Sequence, residues 1–132
     1  GIARRLAFLY WELVYQNLVM GDVRSYALEE ARQYADEALA AYPQDAGVWV
    51  LEGKILGARE DWDGAHAAFL RGQHLGYPSA RLTPYLAEHA FRQRQFDQVK
   101  SLLKSMDTLT IADIMHPVIS FWTTNENNHS GN

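Results

Sequence analysis

The chain has 132 residues, of which 48% are hydrophobic and 21% are charged, a balance typical of a globular domain with its own core. It contains no cysteine, which excludes disulfides and thiolate-bound metals but leaves both cytoplasmic and periplasmic locations open. Its net charge of −4 and the lack of a recognition motif argue against nucleic-acid binding.

Charge is distributed unevenly along the chain. Residues 1–66 carry eleven acidic and six basic side chains, whereas residues 67–104 carry two acidic and six basic side chains. Solvated helix faces explain such a pattern. The alternative is that an acidic segment of a partner protein docks on the basic part.

The first predicted helix covers residues 3–20 and is apolar on nearly all sides, which predicts burial on more than one side. Its most apolar stretch, from Leu6 to Met20, is interrupted by polar side chains and is shorter than a membrane-spanning helix, so we predict neither a signal peptide nor a membrane span. Because the chain begins with Gly1 rather than methionine, we expect a longer parent protein.

A loop over residues 21–25 should separate this helix from the second one, with Ser25 as the N-cap and Pro43 just beyond the end. Apolar spacing and turn residues then predict further helices. They cover 48–58, 62–75, a third pair that begins at Thr83-Pro84 and returns over 96–106, and a terminal helix within 110–122.

The second helices echo one another along the sequence. Ala31, Ala65 and Val99 stand at matching places, with spacings of 65 − 31 = 34 and 99 − 65 = 34. A fixed period of this size predicts repeated helix pairs that bury their apolar faces by stacking.

The middle repeat carries the most informative residues. Trp49, Gly53 and Leu56 are followed by Ala65-x3-Phe69, and Pro78 closes the unit. This pattern resembles the tetratricopeptide repeat family, although Glu52 occupies a place where that family has leucine.

The resemblance implies an all-α, right-handed superhelix of about seven helices. It would form one domain over residues 1–122, followed by a polar tail. The implied segments are repeats at 8–44, 45–78 and 79–112, a capping helix at 113–122 and the tail at 123–132.

In that family, the first helices line a concave groove that binds a partner's peptide or helix. The resemblance therefore implies a non-catalytic scaffold or adaptor module, of bacterial origin in our interpretation, whose partner is an amphipathic segment carrying acids. The family's carboxylate clamp is not expected, because Glu12 and Gln16 stand where it needs lysine and asparagine. The implied groove residues are Glu12, Gln16, Val50, Leu51, Lys54, Arg81, Tyr85, Glu88 and Arg92.

An enzyme is the alternative of another class. Asp61-Trp62-Asp63 resembles a short acidic motif that can hold a hard cation. We favour a structural role, because acids at the beginning of a helix stabilise its dipole. His66 and His74 are too far apart on one helix for a zinc pair, and we expect no cofactor.

Both ends of the predicted stack are apolar, and Phe8, Trp11, Phe121 and Trp122 are the candidate contact residues. Apolar ends predict contacts with another copy of the chain or with the missing part of the parent. A further alternative is a domain beside the membrane, in a bacterial envelope or exopolysaccharide assembly, with association only through the missing sequence. The expected location is the cytoplasm, with the periplasm and membrane tethering as alternatives.

Overall fold

The computed structural model describes residues 1–106, and the prediction of an all-α fold is confirmed over this range. The predicted helix at 113–122 and the tail at 123–132 lie outside the described residues. No helix within residues 1–106 combines the length and apolar character that a membrane crossing requires. The described helices are α1 (Ile2–Tyr15), α2 (Gly21–Ala41), α3 (Ala46–Ala58), α4 (Trp62–His74), α5 (Ser79–Arg92) and α6 (Phe96–Lys104), six where the sequence predicts about seven for the whole domain.

The chain divides into two compact units, Gly1–Tyr77 and Pro78–Asn132. The first unit holds α1 to α4, and the described part of the second holds α5 and α6. In the first unit α1 packs on α2 and α3 packs on α4, while α2 also contacts α3. In the second unit α5 packs on α6. The single domain over 1–122 and its internal repeat boundaries stay predictions.

The three helix hairpins close with the same backbone turn. In each turn one residue adopts a left-handed conformation, and the next amide donates to a carbonyl five residues back, as in a Schellman motif. Glu60 and Arg94 are the left-handed residues of the second and third turns, with φ angles of 65° and 60°. Their numbers differ by 94 − 60 = 34, so the backbone repeats with the sequence period. The amide-to-carbonyl pairs are Leu18 to Leu13, Asp61 to Leu56 and Gln95 to Ala90, each at 2.9 Å.

The predicted boundary between the first two helices is wrong. α1 ends at Tyr15 because Asn17 takes the left-handed conformation, with φ of 57°, and stops the helix. α2 begins at Gly21, so Ser25 lies inside the helix and does not cap it. The connection between these helices contains apolar residues, so the apolar pattern of the sequence continues beyond the end of α1.

The third hairpin also begins earlier than predicted. α5 starts at Ser79, and Pro84 lies inside the helix instead of at its first position. Proline lacks an amide hydrogen, so the first turn of α5 loses one backbone hydrogen bond. The carbonyl without that amide partner is the one of Ala80, and the Thr83 hydroxyl donates to the neighbouring Ser79 carbonyl at 3.1 Å.

The core of the first unit is built on the small side chains of α2. Ala27, Ala31, Ala35 and Ala38 are buried at helical spacing, which gives neighbouring helices a flat surface to approach. Aromatic side chains add to this packing, since the ring of Tyr10 on α1 stacks on that of Tyr34 with centroids 6.0 Å apart. Apolar and aromatic contacts therefore hold the first hairpin together.

A close approach of α3 and α4 depends on two glycines. A Cβ atom on Gly53 would lie 2.6 Å from the ring of Phe69, and one on Gly72 would lie 2.6 Å from Val50 Cγ2. Such distances are far inside van der Waals contact, so both positions require glycine. Gly53 and Gly72 thus allow the two helices to approach closely.

Polar contacts fix the connection between α2 and α3. The Asp45 side chain accepts from the Val48 amide at 3.2 Å and thereby caps α3. The same carboxylate pairs with Arg4 of α1 at 2.9 Å. The indole N–H of Trp49 donates to the Pro43 carbonyl at 2.8 Å. One short segment thus ties α1, α2 and α3 together.

Candidate functional site

Two of the residues assigned to the binding groove are in the core. Val50 and Leu51 are each 1% exposed, so neither side chain is available to a partner. The physical reason is that α3 packs on both α2 and α4 and also touches α1, which leaves it almost no free face. The groove assignment of these two residues is therefore wrong.

The other candidates in the first unit are nearer the surface. Glu12 on α1 and Gln16, the residue after the end of α1, are exposed, and the Gln16 amide donates to the Glu12 carboxylate. Lys54 on α3 is half-buried. The structure leaves Glu12 and Gln16 accessible on the side of α1 that is remote from the buried residues Ala7 and Val14.

The candidates in the second unit share one face of α5. Arg81, Tyr85, Glu88 and Arg92 follow one another at intervals of four, three and four residues. At 100° per residue these positions fall within an arc of about 60°, over a length of about 16 Å. We call this set the α5 stripe.

The charges of the α5 stripe are partly organised by an internal pair. Arg92 Nη2 donates to Glu88 Oε1 at 3.0 Å, one helical turn apart. Such a surface pair contributes about 0.3–0.5 kcal/mol to helix stability and orients the guanidinium. The opposite side of α5 is buried through Leu82, Ala87 and Ala90. Arg81 and Arg92 are exposed and Tyr85 and Glu88 are half-buried, so the stripe is the more exposed side of an amphipathic helix.

The acidic tripeptide lies where a structural role predicts it. Asp61 is the N-cap of α4, and its carboxylate accepts from the Gly64 amide at 3.0 Å. Asp63 lies in the first turn, where a negative charge stabilises the helix dipole. Within residues 1–106, no group of three or more histidine or acidic side chains is placed to hold a metal ion.

A charge cluster around a buried carboxylate is the least expected feature of the first unit. We use the name Glu52 cluster for Arg32 and Asp36 on α2 and Glu52 on α3. Glu52 is 5% exposed, and its Oε1 lies 3.4 Å from Arg32 Nε. Among the described residues, no donor reaches the buried Oε2 atom. Burying a carboxylate with one oxygen unsatisfied is costly.

The environment of Glu52 favours its protonated form. Burial, followed by the neighbouring Asp36 carboxylate, raises the pKa of Glu52 to about 7, against a smaller lowering by Arg32. A protonated Glu52 can donate a hydrogen bond to Asp36, which the ionised form cannot do. Below about pH 7, protonated Glu52 on α3 can therefore donate a hydrogen bond to Asp36 on α2. Above about pH 7, the ionised Glu52 cannot donate this bond.

The residues assigned to the apolar ends of the stack are distributed differently from the prediction. Phe8 and Trp11 are half-buried and pack against the core of the first unit. Phe8 also lies under the Arg4 guanidinium, 4.9 Å from the ring centroid. Neither is a free contact residue at an outer surface. Phe121 and Trp122 lie outside the described residues.

A depression of about 530 Å³ lies beside the connection between α2 and α3. Among the residues that the structure describes, its lining comes from residues 41–45, a single stretch of chain. Binding pockets orient a ligand with polar groups that converge from separate helices or strands, and this lining comes from one stretch. We therefore assign no ligand to it.

Comparison with known proteins gives no match. This holds for the protein-family models, for the curated proteins and for the solved structures. The function is consequently inferred from the geometry described above.

Two features were not predicted although the sequence held a signal for them. Glu52 stands at a place where the repeat pattern has a buried leucine, and that register alone predicts a buried carboxylate. On α1, Ile2, Leu6, Leu9 and Leu13 follow at intervals of four, three and four, a second apolar face that the all-round apolar character concealed.

Proposed function

We propose that this chain is a non-catalytic protein-interaction module of tetratricopeptide type. Its partner is an amphipathic peptide or helix that carries acidic side chains, and the α5 stripe is its main docking surface. The observation that carries the proposal is the alignment of Arg81, Tyr85 and Arg92 on the more exposed side of α5.

The chemistry of the stripe favours such a partner. The two arginine positions of the stripe, three helical turns apart, are separated by about 16 Å along the helix axis, and a tyrosine ring lies between them. Arginine binds carboxylates through paired hydrogen bonds, and tyrosine supplies apolar area with a polar tip. Acids three turns apart on a partner helix would match this spacing.

The repeated hairpin turn supports the proposal independently. Repeat proteins use stacked hairpins to present extended surfaces instead of enclosed pockets. The left-handed residues Glu60 and Arg94 recur at the sequence period, which is the expected geometry of such repeats.

The experiment is selection of a displayed random-peptide library on the purified chain, followed by fluorescence anisotropy with the recovered peptides. We expect peptides that combine acids with apolar residues. The double variant Arg81→Glu/Arg92→Glu should weaken their binding at least about tenfold, because it replaces attraction by repulsion.

The matched control is Lys100→Glu/Lys104→Glu, which changes the net charge equally on exposed positions of α6 in the same unit. This control should bind the peptides within about twofold of wild type, beyond a small loss of long-range attraction. Circular dichroism verifies that both variants fold. Equal binding by both double variants, or a selection that recovers no peptide, would remove the α5 stripe as the docking surface.

A further inference from the structure

The helix α1 has two apolar faces, and only one of them is used within its own unit. Ala7 and Val14 are buried against the rest of the first unit. Ala3, Tyr10 and Trp11 pack on the same core. A helix that only covered this core would carry polar residues on its other side.

The other side of α1 is apolar instead. Ile2 is 74% exposed, Leu9 is 56% exposed and Leu13 is 36% exposed, with Leu6 half-buried between them. Intervals of four, three and four residues form the apolar seam of a two-helix coiled coil. We call these four residues the outer seam of α1.

Two opposite charges border the outer seam on the same side. Arg5 directly precedes Leu6, and Glu12 directly precedes Leu13, and both charged side chains are exposed. In heptad terms they occupy the same flanking position in successive heptads. This arrangement specifies which partner helix the seam can accept.

We propose that the outer seam of α1 binds a second copy of this chain, with the two α1 helices antiparallel about a twofold axis. In this register Leu6 faces Leu9 of the second copy, and Ile2 faces Leu13 of the second copy. The charges then alternate across the interface, because Arg5 of each copy lies beside Glu12 of the other.

Self-complementarity is the reason for choosing a second copy as the occupant. A twofold interface uses the same patch on both subunits, so every contact must be satisfied by the patch itself. In the antiparallel register, Arg5 and Glu12 form two equivalent ion pairs, because Arg5 of each copy lies beside Glu12 of the other. A parallel register would bring each Arg5 side chain beside Tyr10 of the other copy, where it finds no carboxylate. This proposal does not depend on peptide binding by α5.

The expected association is weak and reversible. A helix of 14 residues is about 21 Å long, so one helix pair buries an area at the small end of specific interfaces. We therefore expect a dissociation constant on the order of 10 μM, with monomer and dimer in equilibrium during a measurement.

Sedimentation equilibrium from about 1 to 300 μM protein tests the proposal, over a range chosen to bracket that constant. The molar mass should rise from 15.0 kDa towards twice that value. Leu9→Glu should keep the chain monomeric at every concentration, because it places two carboxylates at the centre of the seam. The matched control is Leu70→Glu on α4, where the leucine is 42% exposed, and it should associate like wild type. A wild-type chain that stays at 15.0 kDa throughout overturns the proposal.

Charge exchange tests the register and separates a specific dimer from loose apolar association. Arg5→Glu alone and Glu12→Arg alone should each weaken the dimer about tenfold, because two ion pairs become two repulsions. The double variant Arg5→Glu/Glu12→Arg should return to within about threefold of wild type. If the double variant stays as weak as the single ones, the antiparallel register is wrong.

A cross-linking experiment provides a second test of the register, since the chain has no cysteine of its own. Leu6→Cys and Leu9→Cys chains, mixed and oxidised, should form the mixed disulfide in preference to either symmetric one. Preferred symmetric products would indicate a parallel pair and overturn the proposal. The α5 double variant Arg81→Glu/Arg92→Glu should dimerise normally, so failure of the two proposals can be told apart.

Discussion

The hairpins α3–α4 and α5–α6 have the same turn geometry but differ in how many residues their second helices bury. Both turns place a left-handed residue at the same repeat position and close with a 2.9 Å hydrogen bond. In α4 four residues are buried, including Phe69, whereas in α6 only Val99 is buried. The same turn therefore occurs in hairpins that bury different numbers of residues, which indicates that the turn geometry does not depend on the packing between the helices.

Corresponding positions differ in a compensating way. Gly53 and Phe69 of the second hairpin correspond to Ala87 and Leu103 of the third, one sequence period later. A large ring beside glycine is thus replaced by a smaller side chain beside alanine. By size, the methyl group gained at position 87 roughly offsets the volume lost between Phe69 and Leu103.

The largest expected effect comes from breaking the Gly53–Phe69 pair. Gly53→Ala should reduce the free energy of unfolding by about 2 to 3 kcal/mol, because its Cβ would lie 2.6 Å from the Phe69 ring. Urea denaturation followed by circular dichroism measures the loss.

Gly57→Ala is the matched control for this prediction. It lies one turn further along α3, where a Cβ meets its neighbours at 3.7 Å or more, so it should stabilise the helix by about 0.5–1 kcal/mol. The double variant Gly53→Ala/Phe69→Leu copies the third hairpin and should recover part of the loss. A double variant as unstable as the sum of its single changes would contradict the compensation.

The Glu52 cluster gives the second prediction, because Leu86 occupies in α5 the place of Glu52 in α3. With the pKa of Glu52 raised to about 7, the folded chain holds a proton that the unfolded chain releases near pH 4.5. Stability contributed by this group is therefore complete below about pH 4.5, falls as the pH rises and is lost above about pH 7, on the order of 3 kcal/mol.

Urea denaturation at about pH 5 and about pH 8 measures this dependence. Glu52→Gln should flatten the slope between the two pH values, and Glu52→Leu should exceed wild-type stability at the higher pH by roughly 1–2 kcal/mol. Glu37→Gln, at an exposed position of α2, should retain the wild-type slope. An unchanged slope in Glu52→Gln would assign the pH dependence to other groups.

The smallest predicted effect concerns the helix caps. Asp61 caps α4 with its side chain, whereas Gln95 at the same place makes no side-chain cap of α6. Gln95→Asp should stabilise the chain by about 1 kcal/mol, and Asp61→Gln should destabilise it by a similar amount. Thermal unfolding of the two variants with wild type measures both changes, and changes of the same sign would contradict equivalence of the caps.

The sequence was sufficient for the hairpins but not for all of their ends. The repeat period located the helices from α3 to α6, because apolar spacing and turn residues agree there. It failed at Asn17, because the apolar residues that follow it continue the helical pattern. Asparagine adopts the left-handed conformation more often than other non-glycine residues, so it was the signal for this helix end.

The candidate site was only partly predictable for a related reason. The spacing of the α5 stripe is a property of one helix, and the sequence contains it completely. The burial of Val50 and Leu51 depends on how many neighbours surround α3, which a family resemblance does not specify for a degenerate repeat. Glu52 was noted as a departure, but its consequence needed the position of Arg32 and Asp36.

The short hairpin connections have a consequence for how the chain folds. Residues 59–61 and 93–95 join helices that pack on each other, so their contacts are local in sequence. Bringing such helices together closes only a small loop, at little entropic cost. Chains dominated by local contacts fold within microseconds to milliseconds. Each hairpin can therefore form soon after it is synthesised, before the residues that follow it have been made.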